Sequence, residues 1–517
     1  MDLNDLFITL VLVNCVWLLA MQPARVWFIK TIGILLLLGV TWWHAPEIAG
    51  RVTIGPWAVL ILVPMWLQHW SYQLMQQRKL GLARWTSAVF AVLQPTDAAR
   101  RLRRMVRVLR HLQRGEIATG TQLAEQSGFH DSGLRNLCMV TEAQMSGDWP
   151  AFEFQLDSLP YQGLTDPNLI SGKVQALAER GAWEELNRVS LLIGQSHFPP
   201  EQNAALSLRV FAVLGDLNTI QNLFLCSGQL IARETREFWL AVAEQTSGDT
   251  VRAQQRLTQL LPRSSPALRP MIERRLALPA VGPPDDAVRN RGLLELSGVR
   301  SVIAHDAHYA VLSGRGRRWP VITLLLGLAI AIMYLREIPG GSEDVDNLVG
   351  LGALELPLAG EALEWKTLAQ RVLASGFLHF GPIHLSLNLL GLLFLGRMFE
   401  RASGPLWMLV HYLTCVMVSG FLLPWLTFLA EDETAVFAGA SGGIMGLLGG
   451  LWGVLLVGRL SEGTPLVRGQ FRSVCSFIVL QSVCDMLTPK VSMTCHLLGL
   501  VTGILGGILL GLRGGRR

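Results

Sequence analysis

The sequence predicts an all-α polytopic membrane protein with a six-helix transmembrane core, three extra N-terminal membrane helices and a cytoplasmic α-solenoid-like domain between them. Three observations carry this reading. Apolar runs near the roughly twenty residues that cross a bilayer crowd into residues 1–75 and 319–512. The stretch 76–318 holds most of the charge. Within that stretch a glycine recurs every 33 or 34 residues. Half of the 517 residues are hydrophobic and 16% are charged. That average is too apolar for an ordinary soluble chain and too charged for a pure membrane bundle, so two kinds of segment must coexist.

At the N-terminus, Asp2 and Asp5 precede the apolar run 6–21 and no basic residue does. This is the reverse of a secretory leader, so 6–21 is expected to be a retained helix. Further spans are expected near 27–43 and 53–70, completing an N-terminal membrane unit over 1–75. Six more are expected near 319–335, 378–396, 405–427, 436–457, 473–488 and 493–512. Basic residues fix the orientation, because Lys and Arg accumulate in short cytoplasmic loops. Arg25 and Lys30, then Arg78, Lys79 and Arg84, then Arg315, Arg317 and Arg318 all fall where alternation puts the cytoplasm. Arg397 and Arg401, Arg459, Arg468 and Arg472, and the basic tail 513–517 fall there too. The acidic loops Glu343-Asp344-Asp346 and Glu431-Asp432-Glu433 fall outside. The N-terminus is therefore expected outside, with the polar domain and the C-terminus cytoplasmic. Short, positively flanked loops and the lack of an organelle signal favour a bacterial cytoplasmic membrane.

Residues 76–262 are expected to form helical hairpins. Gly147-Asp148, Gly181-Ala182, Gly215-Asp216 and Gly248-Asp249 recur at intervals of 34, 34 and 33, with Gly115-Glu116 as a weaker earlier copy. Five residues after each of the four glycines comes an apolar residue, Phe152, Leu186, Ile220 and Ala253. A glycine that ends one helix, a short turn and a second amphipathic helix form the unit of a solenoid. The length resembles tetratricopeptide repeats, although the small residue expected five positions on is alanine only at 253. Solenoids present a concave surface to partners, so a cytoplasmic protein partner is expected for this domain. Residues 263–318, with Pro266, Pro270, Pro279, Pro283 and Pro284, are expected to be a Pro-rich linker back to the membrane.

Four polar groups stand near the outer ends of three expected membrane helices. His384 and Asn388 are four residues apart and share a helix face. Ser441, in Gly439-Ala440-Ser441-Gly442, lies about five residues into its span, roughly 8 Å deep at a 1.5 Å rise. His496 lies about four residues into the last span, at matching depth. Polar groups inside a bilayer are costly and tend to mark function. A serine hydroxyl needs a base to take its proton, and a neutral imidazole suits that task. The negative charge that acyl transfer builds on the carbonyl oxygen needs preorganised donors. His384, the Asn388 amide and the Ser441 backbone N–H are candidates, with Gly439 and its neighbours leaving room for a substrate backbone. His496, Gly499 and Gly503 lie on one face, whose small residues allow close packing against the serine helix. Seven cysteines without CxxC spacing support neither a metal site nor a redox pair. No metal and no cofactor is expected. A net charge of +5 spread over this length gives no reason to expect a nucleic acid.

GASG at 439–442, His496 with Gly499 and Gly503, and HFGPIHLSLN at 379–388 together resemble the rhomboid family of intramembrane serine proteases. The resemblance covers 319–512 and implies a rhomboid-like protease domain there, with Ser441 as nucleophile, His496 as base and no third carboxylate. It implies that His384 and Asn388 help bind the oxyanion, and that Arg371 stabilises the first outer loop. Two positions depart from the family pattern: Gln370 stands where tryptophan is usual, and Met445 where an aromatic often packs on the histidine. Expected partners are membrane lipid and transmembrane protein substrates, cut within or beside the membrane near its outer leaflet, after a small residue. His379 is expected in a loop or interface, His411 in a structural role, and Asp485 in a capping or interfacial one. The rival reading is a non-catalytic membrane scaffold or client-handling protein acting through its repeats. A transporter is disfavoured, since the spans carry few ionisable residues.

Overall fold

The computed structural model describes residues 3–21, 25–126, 132–159, 165–195, 198, 200–283, 285–310, 319–355, 364–428, 436–461, 463–487 and 492–514. Arg315, Arg317, Arg318, Glu431, Asp432, Glu433, Pro284 and most of the basic tail lie outside them. The described residues are nearly all helical and divide into two compact units, Met1–Trp57 with His308–Arg517, and Ala58–Ala307. Among the described residues, seven stretches are long and apolar enough to cross a membrane: Val26–His44, Pro46–Gln76, Val321–Gly340, Gly381–Ser403, Pro405–Pro424, Ser441–Ser461 and Met493–Arg513. The protein is therefore a polytopic membrane protein. Two further expected spans lie on the helices Leu3–Met21, whose apolar run among the described residues is Leu3–Val16, and Pro465–Leu487, where Arg468, Arg472 and Asp485 lower the hydropathy.

Helices α1 (Leu3–Met21), α2 (Arg25–His44) and α3 (Ala49–Trp57) open the chain. Polar side chains tie them where backbone groups would otherwise be unpaired. The Asn4 amide donates to the Pro46 carbonyl at 2.9 Å and accepts from Gly50 N–H at 2.8 Å. Trp57 Nε1 donates to Asn14 at 3.0 Å.

The second unit begins with α4 (Val63–Gln76) and α5 (Leu80–Leu93) and continues as five helix pairs. They are α6 (Asp97–Gln113) with α7 (Ile117–Glu125), α8 (Ser132–Ser146) with α9 (Trp149–Asp157), and α10 (Pro167–Arg180) with α11 (Trp183–Gln195). Then come α12 (Pro200–Val213) with α13 (Leu217–Ser227) and α14 (Arg233–Thr246) with α15 (Thr250–Leu260). Each turn is made by one of the recurring glycines, Gly115, Gly147, Gly181, Gly215 and Gly248, with φ between 71° and 97°. A Cβ disfavours that left-handed conformation, which explains why the repeat is written in glycine. The aspartate that follows three of them caps the next helix. Asp148, Asp216 and Asp249 accept from the N–H of Ala151, Thr219 and Arg252. Phe152, Leu186, Ile220 and Ala253 are all buried. The first helices α8, α10, α12 and α14 pack each on the next.

The stretch expected as a linker holds α16 (Arg269–Ala277), α17 (Asp286–Glu295) and α18 (Ser297–Ala310). Arginines bind it to the hairpins: Arg274 donates to the Gln144 and Met145 carbonyls at the end of α8, and Arg289 to the Thr246 carbonyl. Carbonyls at a helix end lack partners within their helix, and guanidinium donors supply them. The prolines mark turns and helix starts, as Pro270 does in α16. They do not make an open chain.

The remaining elements belong to the first unit: α19 (Val321–Glu337), α20 (Val345–Gly350), β1 (Leu354–Glu355), α21 (Trp365–Ser375), α22 (Gly381–Gly391) and α23 (Arg397–Ser403). They continue with α24 (Pro405–Phe428), β2 (Val436–Phe437), α25 (Ser441–Ser461), α26 (Pro465–Leu487) and α27 (Met493–Gly514). α25 is the central helix, buried along most of its length among Phe399, Tyr412, Val416 and Leu500. The N-terminal α1 packs on α26. β1 pairs with β2 in antiparallel register, Leu354 opposite Phe437, which anchors the segment entering α25.

Buried Glu400 secures the start of α19. Its carboxyl oxygens accept from Ile322 N–H at 2.9 Å, Thr323 N–H at 2.8 Å and the Thr323 hydroxyl at 2.7 Å. An acidic group at a helix N-terminus is favoured, and removing it leaves buried donors unpaired. Glu400→Ala is expected to destabilise the first unit by about 2–4 kcal/mol, and Glu400→Gln by less. Denaturant unfolding of the purified protein checks this.

Candidate active site

The path into α25 is fixed by two hydrogen bonds. Gly439 N–H donates to the Ser375 carbonyl at 2.8 Å, and Ala440 N–H donates to His379 Nε2 at 3.4 Å. Gly439 has φ of 152°, a conformation that favours glycine. A Cβ there would stand 2.9 Å from His384 Cε1, 3.1 Å from His384 Nε2 and 3.6 Å from Ser441 Oγ. The His384 ring and the Ser441 hydroxyl therefore face the same small space, and Gly439 keeps it open. Ser441 is the first residue of α25, at the helix start rather than about five residues into the span as hydropathy places it. There backbone N–H groups point out of the helix end and favour negative charge. Gly439→Ala is expected to cut any reaction at Ser441 by tenfold or more while leaving the melting temperature within a few degrees. Rate and melting measurements on one preparation separate the two effects.

The hydrogen bonds assign the imidazole tautomers. Phe380 N–H donates to His384 Nδ1 at 3.4 Å, so in the neutral ring the proton sits on Nε2, the atom beside Gly439. His379 accepts at Nε2, so its proton is on Nδ1, directed at the Phe377 carbonyl 3.2 Å away. The two rings meet edge to face at 5.2 Å. His379 is fully buried, and its backbone N–H donates to Glu337 at 3.1 Å. It thus holds the backbone just ahead of Ser441, a more specific position than the loop or interface expected from sequence. The Asn388 amide donates to the His384 carbonyl at 3.1 Å, one turn back on its own helix. Arg371 donates to the Ala353 carbonyl at 2.8 Å, next to β1.

α27 meets α25 through backbone. A Cβ on Gly499 would run into the Gly442 carbonyl, one on Gly503 into the Gly446 carbonyl, and one on Gly507 into the Gly450 carbonyl. A Cβ on Gly442 would stand 3.2 Å from Cys495 Sγ. Residues adjoining Ser441 and His496 are therefore in contact across the two helices. No hydrogen bond joins the Ser441 hydroxyl to the His496 ring among the described residues. His411 spans α24 to α25, with Nε2 3.0 Å from the Gly446 carbonyl and its ring stacked on Phe399 at 4.4 Å.

His496 is buried, and its Nδ1 lies 2.7 Å from Asp485 Oδ2 on α26. Gln481 Nε2 donates to the other Asp485 oxygen at 2.8 Å. Sequence reasoning gave Asp485 a capping or interfacial role. The last turn of a helix leaves carbonyls unpaired, which call for donors, and a carboxylate offers none. Its partners are the Gln481 amide and the His496 imidazole, and no sequence periodicity links residues eleven apart on two helices.

Comparison with known proteins places this part of the chain. A model of the rhomboid domain matches residues 367–513. Rhomboid protease GlpG of Serratia proteamaculans is 34% identical over 210 residues, 39% of this chain and 67% of the relative. Rhomboid protease GluP of Bacillus subtilis is 30% identical over 189 residues, and GlpG of Pectobacterium atrosepticum 28% over 190. Those two matches cover 37% and 36% of this chain but only 34% and 61% of the relatives' own lengths. No solved structure matches. On its rhomboid domain and these relatives, the chain belongs to the rhomboid family.

Proposed function

We propose that this protein is an intramembrane serine protease that cleaves transmembrane segments near the outer face of the bilayer. The observation that carries the reading is the shared space at Gly439, where the Ser441 hydroxyl and the protonated face of the His384 ring come together at the head of α25. In this reading Ser441 Oγ attacks the scissile carbonyl as His496 takes its proton. His384 Nε2–H and the first N–H groups of α25 receive the charge on the carbonyl oxygen. His496 then protonates the leaving amine, and water releases the acyl-enzyme. Asn388 supports this through the His384 carbonyl, and Arg371 holds the loop paired with β2.

The repeat domain over 76–262, tetratricopeptide-like in period, serves on the cytoplasmic side to recruit a protein partner or substrate. The N-terminus lies outside, in a bacterial cytoplasmic membrane. The regular stacking of α8, α10, α12 and α14 favours the binding function and equally suits a scaffold. Reconstitution in liposomes with a membrane-embedded reporter segment tests the proposal. Cleavage by wild type, lost in Ser441→Ala, supports it. Binding of the reporter with no cleavage by a folded wild type moves the weight to the scaffold.

A further inference from the structure

We propose that Asp485 is a positioning residue for His496, acting on the serine–histidine pair through the imidazole ring. This rests on the reading of Ser441 and His496 given above and goes beyond the two-residue site implied by family resemblance. Asp485 Oδ2 sits 2.7 Å from His496 Nδ1, and both side chains are almost wholly removed from solvent, 5% and 10% exposed. The second carboxyl oxygen is held by Gln481, one turn earlier on α26. With both oxygens engaged, the carboxyl has one orientation, and that orientation aims at the ring.

The chemical consequence follows from the tautomer. A carboxylate accepts hydrogen bonds and donates none, so the ring proton must sit on Nδ1. Nε2 is then left bare, which is the state a general base needs in order to take the serine proton. When it does, the imidazolium forms beside an anion rather than alone in a dry site, and nothing need move to stabilise it. The proton passes from Ser441 Oγ to His496 Nε2 and then to the leaving amine; Asp485 serves as the acceptor at Nδ1 and exchanges no proton with the substrate. A buried carboxyl in a membrane helix is expensive, and among its contacts only the imidazole gives it this use.

The test compares full-length wild type with Asp485→Asn, Asp485→Ala and Asp485→Glu, with Ser441→Ala and His496→Ala as references. Rates of phosphonylation by a fluorophosphonate, kcat and KM on a reporter segment, and melting temperature are read for each. Asp485→Asn can turn its amide to the ring and favour the wrong tautomer. A fall on the order of 10²–10⁴ in phosphonylation rate and kcat is expected, with KM unchanged. Asp485→Glu is expected to recover a large part of the loss. Adding Asp485→Asn to His496→Ala should slow the protein no further, because the residue acts only through the ring. Wild-type rates in both Asp485→Asn and Asp485→Ala overturn the inference. So does a rate loss that merely follows melting temperature across the three variants, or one that persists in the His496→Ala background. Labelling that survives Ser441→Ala would instead refute the reading of the nucleophile, a distinguishable failure.

Discussion

Ser441→Ala is expected to abolish peptide hydrolysis, a loss on the order of 10⁶ in kcat as found for nucleophiles of this class. The reasoning is local. The three atoms closest to a Cβ at Gly439 are two of the His384 ring and the Ser441 hydroxyl oxygen. The Ser419 hydroxyl, which stands against Gly442, donates to the Cys415 and Val416 carbonyls of its own helix. Removing one oxygen from a half-exposed helix start costs little packing, so folding should be preserved. Cleavage of a membrane-embedded reporter, with melting measured alongside, separates lost chemistry from lost structure.

The second large effect concerns the helix pair. Gly503→Leu is expected to cost more than about 3 kcal/mol and to reduce activity by about 100-fold or more. Its Cβ would occupy the space of the Gly446 carbonyl, so backbone rather than a flexible side chain must give way. Pushing α27 off α25 also moves His496 from Ser441, and a displacement near 1 Å is enough for such a loss. Gly469→Leu on α26 is the control, since a Cβ there meets nothing within 4 Å. Unfolding and cleavage assays on both variants should show one strong effect and one weak one.

Much of this fold was legible because its signals are local. Hydropathy marks the long apolar helices without regard to packing. Gly115, Gly147, Gly181, Gly215 and Gly248 announce turns through the left-handed backbone they adopt, and Asp148, Asp216 and Asp249 announce the next helix by capping it. The small residues at 499 and 503 likewise told which face of α27 would pack closely. What escaped the sequence are contacts between elements. The pairing of Leu354 with Phe437 joins residues far apart, and two-residue strands leave no pattern to read. The stretch 263–318 reads from its prolines as a linker, and the helices within it are not legible because the arginines that bind it, Arg274 and Arg289, find carbonyls distant in sequence. His379 and Asp485 were given bland roles for the same reason. Their partners, the Ala440 N–H and the His496 ring, lie on other elements.

An activated Ser441 separates a protease from a scaffold, and covalent labelling reads it without a substrate. Purified, folded protein is treated with a fluorophosphonate probe, and wild type is compared with Ser441→Ala and His496→Ala. Labelling of wild type at Ser441, confirmed by mass of the modified peptide, is expected, with its loss in both variants. Absence of labelling in a folded wild type, repeated with a second class of serine-directed inhibitor, would contradict it.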